Sequence, residues 1–187
     1  MGTSKNVASP DTTPWKPALA VLGRKNVPPA RQLQEVWRSA PFDRGPRLFD
    51  DFAAPTLAIA CGLAQRRSSV GTLLNEYENL LQHDKKIGLA AEIGRRALAR
   101  AVSSREGSQG FADELFAEAT SYYVSRDLPS FVGAKGRVET TTAATVLKSS
   151  IKGAAKEIVR GVGVPATDPD GWASYVKQVV NRLRGGR

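Results

Sequence analysis

Along most of this chain apolar residues recur at steps of three and four, and no segment alternates apolar with polar long enough to make a convincing strand. Leu33, Val36, Trp37 and Ala40 predict a helix that opens at Asn26-Val27-Pro28-Pro29 and runs to about Ala40. Pro41 to Pro46 interrupts the pattern. A short helix to Phe52 and a second one from Pro55 follow, each with proline in its first turn, where the missing N–H costs nothing. In the second, Leu57, Ala60, Cys61 and Ala64 form a small-residue face that lets a neighbour approach closely, so this helix is expected to be the most buried.

Ser68 or Ser69 is placed to cap the next helix, with Val70, Leu73, Leu74, Tyr77, Leu80 and Leu81 as its apolar face. Asp84 caps another, in which Ile87, Ala91, Ala97, Leu98 and Val102 point inward and Arg95, Arg96 and Arg100 outward. Gly88 and Gly94 inside it each cost about 1 kcal/mol relative to alanine, which marks them as sites of close packing. Residues 103–110, SSREGSQG, read as a flexible hinge and a subdomain boundary. Beyond it Phe111, Leu115, Phe116, Ala119, Tyr122 and Tyr123 fit a helix that Pro129 stops near Asp127. The C-terminal helix begins at Asp168-Pro169-Asp170, is apolar along Trp172, Tyr175, Val176, Val179 and Leu183, and ends at Gly185. The string Arg182 to Gly186 looks like the tail of ubiquitin, but no β-grasp pattern precedes it and a helix stop accounts for it. The fold class is therefore all-α, an irregular bundle of about seven helices behind a disordered N-terminal tail. Its parts are the tail 1–14, a helical subdomain 15–104 and a basic helical subdomain 105–187.

Charge changes the picture in the last third. The chain of 187 residues carries a net charge of +9, and Tyr122 to Arg187 holds 11 basic residues against 5 acidic ones. Gly133 and Gly136 bracket Ala134-Lys135, with Arg137 next. Such a loop can form a backbone nest for phosphate with Lys135 and Arg137 as its charges, although flexible glycine turns have the same composition. A helix beginning between Glu139 and Thr142 has Val146, Leu147, Ile151, Ala154 and Ile158 on one stripe. Lys148, Lys152, Lys156 and Arg160 repeat every four residues beside it. That ridge fits either a phosphate backbone or the solvated side of an amphipathic helix, and no aromatic residue in the helix interleaves with it as a stacking platform.

Catalytic and metal chemistry has little to work with. One cysteine, Cys61, and one histidine, His83, exclude zinc sites rich in Cys or His within the chain. Cys61 with His83 offers the parts of a nucleophile and base, and the simpler account of Cys61 is a buried packing residue. Asp113, Glu114 and Glu118 are the one acidic cluster of note. They suit a divalent cation or a carboxylate pair, and the simpler account is complementarity to the dipole of a helix N-terminus. No catalytic residue, metal site or cofactor is assigned. The absence of a long apolar run and of a signal-peptide pattern leads to the expectation of a soluble, cytoplasmic chain with no membrane partner.

The tail MGTSKNVASPDTTP is small and polar with two prolines, followed by the short apolar anchor Trp15 to Leu22. Asn6 lacks the hydroxyl that a myristoylation signal needs. Removal of Met1 would expose the amine of Gly2. The opening Met1-Gly2-Thr3-Ser4, a polar proline-containing tail and a helical body resemble the QatB-like subunits of Qat antiphage-defence systems. That resemblance implies a non-catalytic subunit acting through protein contacts, with Gly2 presented to a QueC-like enzyme that attaches a deazaguanine-type group. Thr3 and Ser4 are small enough to enter such a pocket, and Trp15 with Leu19 would dock the tail outside it. The alternative is a small basic helical protein that binds nucleic acid through Lys135, Arg137, Lys148, Lys152, Lys156 and Arg160.

Overall fold

The computed structural model describes residues 20–39, 54–82, 88–128, 132 and 138–186. The fold is all-α, with seven helices named among these residues: α1 Pro29–Ser39, α2 Ala54–Leu63, α3 Val70–Leu81, α4 Gly88–Ser104, α5 Gly107–Asp127, α6 Thr141–Arg160 and α7 Pro169–Leu183. The β-type contact among the described residues is a single bridge between Val132 and Val138.

Local signals set several boundaries. Ser69 accepts from the N–H of Thr72 at the start of α3, Thr140 from Ala143 at the start of α6, and Asp168 from Gly171 at the start of α7. Each side chain satisfies a donor that the first helical turn leaves without a partner, worth about 1 kcal/mol. At the far end Gly185 takes φ 85°, a left-handed conformation that a side chain disfavours, and its N–H bonds to the Arg182 carbonyl. The ubiquitin-like string is thus the cap of α7. It is also tied inward: Arg38 Nε donates to the Arg184 carbonyl (2.9 Å) and Arg182 to the Gly161 carbonyl (2.8 Å).

The centre of the bundle is α5. Every residue from Gly110 to Ser121 is buried, and α4, α6, α1 and α2 all pack on this helix. The small-residue helix α2 is deeply buried, as its pattern requires, but α5 rather than α2 is enclosed on all sides. Trp37 of α1 meets Phe116 (ring centroids 6.0 Å apart) and donates its indole N–H to Thr120 Oγ1 at 2.8 Å. On the other side Phe111 meets Trp172 of α7 at 5.7 Å. Thr120 Oγ1 in turn donates a hydrogen bond to the Phe116 carbonyl at 2.7 Å, so a hydroxyl at the core is satisfied as both acceptor and donor.

The hinge expected across 103–110 shrinks to Arg105-Glu106. α4 continues to Ser104 and α5 begins at Gly107, so two residues join an αα-hairpin. One apolar cluster draws on residues from both sides of this connection, from Leu33 and Leu57 to Ile151 and Val179. Val146, Tyr122 and Leu80, all expected on apolar faces, are exposed instead, at 60%, 43% and 38%. The expected helix before Phe52, His83 and Asp84 lie outside the described residues. No helix among the described residues is long and apolar enough to cross a membrane.

Candidate functional site

Placing Asp113, Glu114 and Glu118 on the innermost helix creates an electrostatic problem. Their side chains are 1%, 11% and 9% exposed, and burying a carboxylate without partners costs several kcal/mol. The two flanking helices solve it. From α6, Lys152 Nζ bonds Glu118 Oε1 at 2.6 Å, Lys156 bonds Glu114, and Arg160 Nε bonds Asp113 Oδ2 at 2.5 Å. From α4, Arg100 reaches Glu118 and, at 3.4 Å, Glu114. Gln109 Nε2 adds a donor to Asp113 at 3.0 Å, and Arg160 extends to Glu106 at 3.6 Å. The result is a ladder of ion pairs between three helices, its carboxylates buried and its cations Arg100 and Arg160 half-exposed at the rim.

This geometry corrects two expectations. Lys152, Lys156 and Arg160 do not form a free ridge: each is paired with a buried carboxylate of α5, Lys152 and Lys156 from partly buried positions and Arg160 from the exposed rim, because every fourth residue of α6 faces the acidic positions of α5. Lys148 alone of the four has no acidic partner among the described residues. The acidic cluster, in turn, does not complement a helix N-terminus. α5 begins at Gly107, so Asp113 sits in its second turn and Glu118 in its third. Nor do the described residues contain a group of acidic, His or Cys side chains suited to a metal ion.

Burial by itself would raise the Glu118 carboxyl. The hydrogen bond from Lys152 and the charges of Lys152, Arg100 and Arg96 outweigh it and hold that group below the usual carboxylate range. Asp113 Oδ2 acts on Arg160 in the complementary direction, holding the guanidinium above its ordinary value. Cys61 lies buried against α5, its thiol directed at the Ser108 carbonyl, and burial pushes that thiol up to about 11. A thiol so protonated at neutral pH is a packing group and a poor nucleophile.

Gly2, Thr3, Ser4, Trp15, Leu19, Lys135 and Arg137 lie outside the described residues. Among those described, sequence reasoning missed the role of Arg100, assigned to solvent by its helical face. Its half-exposed side chain bends back over Glu114 and Glu118. No local signal marks it: only the fold buries Glu114 and Glu118 on a central helix, where they need cations from both neighbours. No protein-family model, curated protein or solved structure matches this chain.

Proposed function

We propose that the protein is a non-catalytic helical subunit that works by binding other proteins. The observation that carries this reading is the pairing of Lys152, Lys156 and Arg160 with the buried carboxylates of α5. A helix that tracks phosphates must leave its cations free to displace counterions, and α6 spends three of its four on α5. The antiparallel register that pairs 118 with 152 and 114 with 156 leads next to 122 and 148. At that end of the seam Tyr122 is exposed on α5, and Lys148 has no acidic partner among the described residues; Val146, also exposed, lies two residues from Lys148 and so on another face of α6. An exposed tyrosine near a single charge suits a protein contact better than a polyanion.

The resemblance to QatB-like subunits supplies the candidate assembly. In it Gly2 is the amine presented to a QueC-like enzyme, and Thr3, Ser4, Trp15 and Leu19 guide the tail.

The test is co-purification of the C-terminally tagged chain from cells that carry its native gene neighbours, with intact-mass measurement. Stoichiometric recovery of a partner, with added mass on the Gly2 amine, is the expected result. A chain recovered alone with a plain N-terminal glycine overturns this reading. The nucleic-acid alternative requires tight duplex binding that weakens steeply between 50 and 200 mM salt, on the order of a thousandfold for six phosphate contacts.

A further inference from the structure

We propose that the cleft between the α2–α3 and α4–α5 connections binds a small phosphate-bearing anion of diphosphate type. The proposal is independent of the protein-contact reading and rests on other residues. The cleft encloses about 760 Å³, within the range of small-ligand sites, and Arg66, Arg67, Ser68, Ser69, Arg105 and Gly107 line it.

Its charge is unbalanced, in contrast to the seam on α5. Arg66 is held by Glu76 at 2.6 Å. Arg67 and Arg105 have no carboxylate partner among the described residues. The acidic residue next in sequence, Glu106, is engaged by Arg160 at 3.6 Å and by the Ser104 hydroxyl at 3.3 Å. Three arginines from two separate connections therefore converge on one concave surface with a single carboxylate to offset them. Guanidinium groups present paired N–H donors that match phosphate oxygens, and the Ser68 hydroxyl adds a donor of the same kind, Ser69 being engaged with Thr72 in the cap of α3.

The backbone points the same way. α5 opens at this cleft with Gly107, its first intrahelical bond comes from the N–H of Gly110, and Glu106 caps it with no side-chain hydrogen bond. The first-turn amides thus carry partial positive charge that no side-chain cap bonds, although the Glu106 carboxylate lies over the turn near Gly110. Arg105 holds φ 59°, a left-handed conformation in which glycine or asparagine is usual, so a charged side chain is kept at this turn against its backbone preference. A lining of arginine and serine selects a polyanion over an apolar ligand.

The experiment is isothermal titration calorimetry of the full chain with inorganic pyrophosphate at 150 mM NaCl. The comparison variants are R67Q/R105N and K177Q, with far-UV circular dichroism to verify the fold of each. Asparagine tolerates the left-handed turn, so the double variant keeps the connection. Expected is one pyrophosphate per chain, affinity at least tenfold weaker in R67Q/R105N, and affinity unchanged in K177Q, which alters an exposed lysine on α7. Absence of binding overturns the proposal, as does equal binding by R67Q/R105N or an equal loss in K177Q. A competition arm uses a single-stranded 12-mer without a terminal phosphate. Displacement of pyrophosphate by the 12-mer at equal or lower concentration overturns the small-anion assignment in favour of a nucleic-acid backbone.

Discussion

Lys152 Nζ lies 2.6 Å from Glu118 Oε1, joining two residues 34 apart in sequence across the antiparallel helices α5 and α6. Glu118 belongs to the innermost helix and Lys152 to one that covers it, so the pair closes the core as well as neutralising it. Lys152→Met removes the charge while keeping most of the packing, and leaves Glu118 with Arg100. We expect a loss of about 2 kcal/mol, measured by urea unfolding. The double variant Glu118→Leu/Lys152→Met should return to within about 1 kcal/mol of the parent, since an apolar pair of similar volume needs no neutralisation. The exposed pair Lys25–Glu139, 2.5 Å apart, provides the control: Lys25→Met should leave the unfolding midpoint unchanged.

The depressed Glu118 carboxyl fixes a pH response. A carboxylate whose folded value lies below its unfolded one contributes stability that is fully present above the unfolded value, near 4.5. That contribution is lost as pH falls through the folded value. Urea midpoints should thus hold level at neutral pH and decline below about 4.5, with Glu118→Gln showing a shallower decline than the parent. An identical acid slope in both proteins would show that Glu118 does not contribute to it.

For Cys61 the expectation is kinetic. With its thiol pushed up to about 11 and the side chain buried, reaction with Ellman's reagent at pH 8 should be slow in the native protein and complete at once in 6 M guanidinium. Rapid stoichiometric labelling of the folded chain would restore the nucleophile reading for this residue.

Two glycines should respond oppositely to alanine. A Cβ at Gly94 would stand 2.6 Å from Tyr77 Oη and 3.0 Å from Leu57 Cδ2, so Gly94→Ala should cost about 1–3 kcal/mol through overpacking. At Gly153, midway along α6, nothing lies within 4 Å of the added atom, and Gly153→Ala should gain about 0.5–1 kcal/mol from helix propensity. Thermal melts of the two variants, moving to opposite sides of the parent, are the check.

These residues also show what the linear pattern can and cannot convey. Caps and apolar periods are local, so Ser69, Asp168 and the faces of α1, α3 and α7 were readable, as was the close packing at Gly94. SSREGSQG was misread because its polarity reflects a half-buried helical stretch, where Ser108 bonds the Cys61 carbonyl, rather than a hinge. The ion-pair seam was not readable at all. Its three main rungs between α5 and α6 join residues 34 to 47 apart, and a lysine every fourth residue has the same appearance whether it faces water or buried glutamates. The cleft was hidden for a similar reason: Arg66, Arg67 and Arg105 come together only through the fold.

The four-residue repeat on α6 has one more consequence. Sliding α6 along α5 by four residues, about 6 Å, would bring Lys148 to Glu118, Lys152 to Glu114 and Lys156 toward Asp113. The charges are translationally degenerate: they recognise that a cation is present, not which one. The apolar side is less forgiving. Ile151, Ala155 and Val159 occupy buried positions, and the slip would deliver Leu147, Ile151 and Ala155 to the same places. An isoleucine would enter an alanine-sized gap and an alanine would leave a valine-sized void, each penalised. The alignment of the two longest described helices is thus a decision made by methyl groups, which the ionic rungs then accept.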